Sequence, residues 1–297
     1  MVSPLSKNFI AGAIGESGSL LGALPPVTLQ EGEQTGMAFA KAVGANSLKD
    51  LRAMNADSII AAATKFGPFR FAMTIDGYFF PKSPLAIFEA GEQARVPLLV
   101  GWNSEESGYR GVMGNEKLTK ENYEKAVHRL YNDRSPDVLK AYPAKSDADV
   151  EQAATDLAGD RFIRFSNWRW AELQAKTGGQ PVYRYYYSHP RPPTVLDKSK
   201  QRAKGAVHSA EIEYAMGNLP SNKVFAWSEE DYAVSKTMQE YFANFIKTGN
   251  PNGPSLPEWP ATSKNKPVPV MHIKPDSRAM PDTTSERYQL MEEVMKR

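Results

Sequence analysis

The chain contains 297 residues, 41% of them hydrophobic, and that length can bury a large core as one or two domains. Its formal net charge of +2 comes from interspersed acidic and basic residues, which form no basic stripe for nucleic acid and no acidic tail. Without cysteine there can be no disulfide, thiolate zinc site or cysteine nucleophile, and no apolar run approaches the roughly 18 to 20 residues that span a bilayer. We therefore expect a soluble protein with no nucleic-acid partner and no membrane span.

The first third of the chain predicts one strand followed by helices. Residues 9–15 are apolar and end in a polar turn, which is typical of a short buried strand. Apolar positions at helical spacing then predict helices over residues 30–43, 47–54 and 56–63.

The middle of the chain predicts two more buried strands, over residues 96–101 and 182–187, from their β-branched, aromatic and aliphatic content. Amphipathic patterns between them predict helices over residues 122–130 and 150–175. The second of these segments is crowded with aromatic residues, which are more typical of a core or a pocket lining than of a cofactor site.

The last third begins with a proline-rich, basic stretch, residues 190–204, which predicts an irregular surface connection. A long helix over residues 228–248 follows, with Ser228 as its cap. Residues 268–273 are predicted to form a last edge strand, and residues 285–296 a terminal helix.

Strands separated by long helical segments imply right-handed crossovers and a mainly parallel sheet with helices on both faces. In such sheets the reactive groups gather on loops beyond the carboxyl ends of the strands. Glu106 follows the second predicted strand, and His208 lies in the loop after the third. We expect the two side chains to meet at one edge of the sheet.

This pair suits the acid and base of an acyl-transfer site. Histidine, with a pKa near 6.5, can take a hydroxyl proton and return it to a leaving group, and a carboxylate can hold its other ring nitrogen. Glu106 fits the acid by position, and Glu105 is the competing assignment. The order of acid before histidine matches that of the α/β-hydrolases. No histidine has a partner at metal-ligand spacing, so no metal site and no cofactor are predicted.

The nucleophile is the missing member. Residues 15–19, Gly-Glu-Ser-Gly-Ser, approach the elbow G-x-S-x-G, but Ser19 replaces its last glycine. Pro25 and Pro26 also interrupt the helix that should follow such an elbow. Ser17 is therefore not predicted to be the attacking residue.

Several segments, in order along nearly the whole chain, resemble the type B carboxylesterases, a family that includes the cholinesterases and bacterial esterases acting on nitrobenzyl esters. They are Ala-Ile-Gly-Glu-Ser-Gly-Ser at 13–19, Ile-Asp-Gly-Tyr-Phe-Phe-Pro at 75–81, Gly-Trp-Asn-Ser-Glu-Glu-Ser-Gly at 101–108, Gly-Ala-Val-His followed by Glu-Ile within 205–212, and Tyr-Phe-Ala-Asn-Phe, Thr-Gly-Asn-Pro-Asn-Gly and Trp-Pro within 241–260.

The resemblance implies an α/β-hydrolase fold and a small-molecule carboxylic ester as substrate. It makes Glu106 and His208 catalytic, favours Glu106 over Glu105, and gives Ser17 a supporting position beside the histidine. Relative to the family, the oxyanion loop, the nucleophile elbow and the first strands are missing. We therefore expect residues 1–297 to form a single incomplete domain whose partner is a missing amino-terminal fragment. Without that fragment the remaining strands would expose hydrophobic edges, so we expect the 297 residues alone to be poorly soluble and inactive on simple esters.

Two alternatives stay open at this stage. The chain could be a non-catalytic binding or adhesion homologue of the same fold, or one product of a split gene. The aromatic residues proposed to form an apolar substrate wall are Trp102, Phe162, Phe165 and Trp168. The compartment is not predicted, although a missing amino terminus with a signal peptide would indicate a secreted or periplasmic protein.

Overall fold

The computed structural model describes residues 1–22, 25–67, 71–197, 199–262 and 268–295. They divide into two compact units, one of Met1–Phe9 with Ala23–Ala94 and one of Ile10–Gly22 with Arg95–Arg297. In chain order the strands and α-helices are β1 (Ala13–Glu16), β2 (Val27–Thr28), α1 (Leu29–Ala42), α2 (Leu48–Ala53), α3 (Ala56–Phe66), β3 (Thr74–Ile75), α4 (Pro84–Glu89), β4 (Leu98–Asn103), α5 (Arg110–Met113), α6 (Lys120–Tyr131), α7 (Ser135–Ala141), α8 (Asp147–Gly159), α9 (Phe165–Thr177), β5 (Val182–Tyr187), α10 (Ile212–Ala215), α11 (Glu229–Thr248), β6 (Pro269–Ile273), β7 (Arg278–Pro281) and α12 (Ser285–Met295).

The smaller unit is mainly helical, and the three helices predicted between residues 30 and 63 are confirmed as α1, α2 and α3. Each begins at a residue whose side chain accepts a hydrogen bond from the first turn: Thr28, Ser47 and Asn55. These caps satisfy backbone N–H groups that have no partner inside a helix. The short strands β2 and β3 pair in parallel.

The larger unit is built on a five-stranded sheet with the order β1, β4, β5, β6, β7. The first four strands are parallel, as predicted, and β7 is antiparallel to β6. The prediction that residues 268–273 form the edge was wrong, because β7 pairs outside β6. Arg278–Pro281, the sequence of β7, has no β-branched or aromatic residue and therefore gives little strand signal.

The first strand is shorter than predicted. It covers Ala13–Glu16 rather than residues 9–15, and the Phe9 side chain is 86% exposed. The hydrogen bonds between β1 and β4 begin with Ala13 N–H, which donates to the carbonyl of Pro97, the residue directly before β4. The start of the neighbouring strand therefore sets the start of β1.

Both faces of the central strands are covered by helices. Tyr185 and Tyr187 of β5 pack on one face with Met238 of α11, and Trp102 of β4 packs on the other face with Leu157 of α8. All six residues of β4 are buried, as expected for a strand inside a covered parallel sheet.

The predicted helix over residues 150–175 is interrupted. It forms α8 and α9 with a π-helical turn, Asp160–Arg164, between them. Hydrophobic periodicity does not reveal one widened turn, because the apolar positions on either side still face the core. None of the described helices is both long enough and apolar enough to cross a membrane.

Candidate active site

Glu106 lies in the turn that follows β4, with its side chain fully buried. Two donors hold Oε1: the backbone N–H of Asn103 at 2.6 Å and the hydroxyl of Ser17 at 2.5 Å. Ser17 follows β1, the strand beside β4. The carboxyl ends of two neighbouring parallel strands therefore fix this carboxylate.

The loop after β5 is tied to the same turn by its backbone. Glu105 N–H donates to the carbonyl of Ala206 at 2.8 Å, and Ala206 N–H donates to the Ser104 hydroxyl at 2.8 Å. A Cβ atom on Gly205 would lie 2.6 Å from Ser104 Oγ, so only glycine allows this close approach. These contacts place His208 directly over the Glu106 turn.

His208 and Glu106 are joined across 102 residues of sequence. Nδ1 of the ring lies 2.6 Å from Oε2 of the carboxylate. This hydrogen bond, together with the negative charges of Glu106 and Glu211, raises the pKa of His208 although partial burial opposes the shift. The ring is held in the tautomer that donates from Nδ1, which makes Nε2 the acceptor when the ring is neutral.

The second ring nitrogen of His208, Nε2, is not engaged by the Glu106 carboxylate. The side chain is 42% exposed, and Nε2 forms no hydrogen bond with any described residue. The ring of Phe162 approaches it edge to face, with centroids 5.2 Å apart and planes at 79°. A proton-transfer group with one orienting partner and one open nitrogen can act as a general base.

The backbone is strained on both sides of the site. Ser17 has φ of 49° and Ser209, the residue after His208, has φ of 66°. Non-glycine residues seldom adopt the left-handed region, and they cluster in turns and functional sites when they do. The Ser209 turn is held by Arg191, which donates to its carbonyl at 2.5 Å and pairs with Glu213 at 2.6 Å.

Sequence reasoning missed a second layer of polar groups beneath the pair. The Asn103 side chain donates to the Val207 carbonyl at 2.8 Å and to the carboxylate of Glu211. Burial raises the pKa of Glu211, and burial with the charge of Glu211 raises the pKa of Glu16 to about 7. The available signals were the position of Asn103 at the end of a buried strand and the spacing of Glu211 three residues after His208.

The structure brings Glu106, His208 and Ser17 together, and Ser17 contacts the carboxylate rather than the ring. Glu105, the competing acid, contributes its backbone N–H to the loop junction, and burial raises the pKa of its carboxyl group. Three of the proposed substrate-wall residues pack instead in the hydrophobic core: Trp102, Phe165 and Trp168.

No group of three or more histidine, cysteine, aspartate or glutamate side chains is arranged to hold a metal within the described residues.

Comparisons with known proteins identify the family of this chain. The model of the carboxylesterase family matches residues 1–291. The chain is 29% identical to carboxylesterase 5A of Canis lupus familiaris, covering 90% of this chain and 49% of that protein. It is 27% identical to acylcarnitine hydrolase of Mus musculus, covering 93% of this chain and 51% of that protein. The chain thus spans about half the length of these relatives.

A solved thermophilic PNB esterase shares the fold. It superposes with a TM-score of 0.73 over 98% of this chain and 59% of its own length, at 21% sequence identity. With the family match over residues 1–291, the chain belongs to the carboxylesterase family, and its mainly parallel sheet is that of an α/β-hydrolase.

Proposed function

We propose that this chain supplies the acid and the base of a serine-type carboxylic ester hydrolase. The observation that carries the proposal is the hydrogen bond from His208 Nδ1 to the buried Glu106, with Nε2 left open to solvent. One ring nitrogen is thus oriented by a buried carboxylate, and the other is available to take up a proton. The preserved pair disfavours the alternative of a binding or adhesion homologue.

In the proposed reaction His208 Nε2 takes the proton of an attacking serine hydroxyl and then donates it to the departing alcohol. Water repeats the exchange in the second half of the reaction and releases the acid. Glu106 stays ionised throughout, keeps the ring in one tautomer and stabilises the imidazolium. Ser17 and the Asn103 N–H hold the carboxylate in place.

We further propose that the attacking serine lies outside these 297 residues. The Ser17 hydroxyl is directed to Glu106, 2.5 Å away, and it follows a strand whose outer edge is unpaired within the described residues. A segment bearing a serine nucleophile could pair at that edge, as an added strand does in β-augmentation. The partner that we propose is an amino-terminal segment, in the same polypeptide or supplied as a separate one.

Hydrolysis of nitrophenyl acetate tests both parts of the proposal. The 297 residues alone are compared with an extended protein, which is the same residues joined to the polypeptide encoded directly upstream. We expect hydrolysis by the extended protein only, lost in His208→Ala and kept in His128→Ala, which changes an exposed histidine of α6. Hydrolysis by the 297 residues alone that disappears in Ser17→Ala would contradict the external nucleophile.

A further inference from the structure

The π-helical turn between α8 and α9 brings an aromatic ring to the base. The turn covers Asp160–Arg164, and its middle residue, Phe162, contacts the His208 imidazole edge to face at 5.2 Å. In a regular α-helix each residue advances by about 100°, so one widened turn changes which side chain faces a given neighbour. The π-helical turn therefore determines which side chain reaches the His208 ring, and that side chain is Phe162.

A buried ion-pair cluster holds the turn in this form. Arg164 Nε lies 2.9 Å from Oδ1 of Asp160, and both side chains are almost completely buried. Oδ2 of the same aspartate accepts from the Tyr142 hydroxyl at 2.8 Å and pairs with Arg287 at 2.9 Å. A Cβ on Gly159 would come 2.4 Å from the Arg164 guanidinium, which explains a glycine in the last turn of α8.

The same arginine connects the turn to the catalytic strand end. Arg164 donates to the Ser104 carbonyl at 3.2 Å, and the Ser104 hydroxyl accepts from Ala206 in the loop of His208. One residue, Ser104, is therefore shared by the π-helical turn, the Glu106 turn and the histidine loop. Through Arg164 and Ser104, the turn that carries Phe162 is therefore connected to both Glu106 and His208.

The imidazole needs such a neighbour. Its only hydrogen bond to the described residues is made through Nδ1, its side chain is 42% exposed, and rotation about the last torsion of a histidine is soft. A single bond at one atom fixes the distance to Glu106 but leaves the tilt of the ring, and so the direction of Nε2, poorly restrained.

We propose that Phe162 is a positioning residue: its ring, placed by the π-helical turn, limits the tilt of His208 and keeps Nε2 directed at the serine and the leaving group. The inference rests on the proposed function, because it concerns the orientation of the same base. It assigns Phe162 an effect on the rate of the chemical step rather than on substrate affinity.

The test uses four variants of the extended protein: Phe162→Ala, Phe162→Leu, Phe162→Tyr and the control Tyr232→Ala, which removes an exposed aromatic side chain from α11. Both kcat and KM are measured with nitrophenyl acetate and nitrophenyl butyrate. Misplacing a catalytic group by about 1 Å can lower a rate on the order of 100-fold, so we expect kcat to fall about tenfold in Ala and Leu, with KM unchanged. Tyrosine should rescue kcat to within about twofold, because it retains the ring edge.

The outcomes separate this inference from the proposed function. A loss of activity in His208→Ala with wild-type kcat in Phe162→Ala would overturn the positioning inference and leave the base assignment intact. An increase in KM for the butyrate ester alone, with kcat unchanged, would make Phe162 a wall of the substrate pocket and also overturn it. Full activity in His208→Ala would defeat the proposed function itself.

Discussion

Among the described residues of the larger unit, the Glu106–His208 and Asp231–His189 pairs differ in how many other groups bind the carboxylate and in how exposed the ring is. Glu106 accepts two hydrogen bonds on Oε1 and contacts His208 at 2.6 Å through Oε2. Asp231 contacts His189 at 2.9 Å. Its two oxygens also accept hydrogen bonds from the side chains of Arg202, Tyr214 and Ser228 and from the backbone N–H of Ser228.

The rings differ in the same way. The side chain of His189 is 4% exposed, against 42% for His208, and its Nε2 is also 3.3 Å from the Arg202 guanidinium. A histidine beside a buried carboxylate is therefore not in itself a sign of catalysis. The exposed ring, and a carboxylate without an arginine, distinguish the proposed base from His189, whose carboxylate partner lies in the first turn of α11.

The largest expected effect is the loss of the base. In the extended protein, His208→Ala should lower kcat by a factor on the order of a million, as removal of a triad histidine does, while the midpoint of urea unfolding changes little. The same substitution at His189 should act mainly on that midpoint. Steady-state kinetics and urea titration of both variants measure the contrast, and a larger rate loss at His189 than at His208 would reverse the assignment.

Glu106→Gln should have the next largest effect, because an amide cannot hold the imidazole in the required tautomer or stabilise the imidazolium. A drop in kcat of about 10,000-fold is the expected size for such a change. Glu105→Gln is the matched control, since the neighbouring carboxylate makes no contact with the ring, and its kcat should stay near that of the unchanged protein. Equal losses of kcat in the two variants would contradict the assignment of Glu106 as the acid.

Asp231→Asn tests the structural pair. It leaves the Arg202 guanidinium without its bidentate carboxylate. Breaking a fully buried ion pair typically costs about 3 to 5 kcal/mol, and because the Arg202 side chain is 26% exposed, we expect a smaller loss in the free energy of unfolding, below about 3 kcal/mol. The kcat of the remaining folded protein should change little. A rate loss without loss of stability would mean that this cluster belongs to the catalytic machinery.

Ser17→Ala should have a smaller effect on the rate. It removes one of the two donors to Oε1 of Glu106, and a hydrogen bond to a charged group contributes about 1.5 to 3 kcal/mol. Because the Asn103 N–H remains, we expect kcat to fall about tenfold, toward the low end of that range. Ser19→Ala, two residues further along, serves as the control. Complete loss of activity at Ser17 alone would revive it as the nucleophile.

The two pairs should also respond oppositely to pH. The hydrogen bond to Glu106 raises the pKa of His208, so kcat/KM should fall on acidification at a pH above 6.5, and the stability gained from the ion pair should be lost as pH rises through that raised pKa. Burial opposes ionisation of Asp231, but bonds from His189, Arg202, Tyr214 and Ser228 lower its pKa well below 3.8. Its contribution is present above that value and is lost at lower pH.

Urea midpoints of His208→Ala and Asp231→Asn, compared with the unchanged protein across the pH range, measure these two opposite pH dependences of stability. A His208→Ala protein whose deficit in stability grows with rising pH would contradict the raised pKa.

The sequence predicted the parallel strands of the sheet from their buried apolar runs. It predicted the contact between Glu106 and His208 from their places in the loops after two of these strands, and from the resemblance of the surrounding segments to type B carboxylesterases. It did not predict the Asp231 cluster, since Asp231 alone is typical of a capped helix start and its partner His189 lies 42 residues away. The position of Phe162 was also unpredictable, because the π-helical turn depends on the buried Asp160–Arg164 contact. Features set by packing between distant segments leave little trace in local periodicity.

Mapping the site of covalent modification by a fluorophosphonate probe tests the central claim most directly. In the extended protein we expect the label on a serine outside residues 1–297, at full yield in His128→Ala and abolished in His208→Ala. A label on Ser17, or a label whose yield does not depend on His208, would contradict the division of acid, base and nucleophile proposed here.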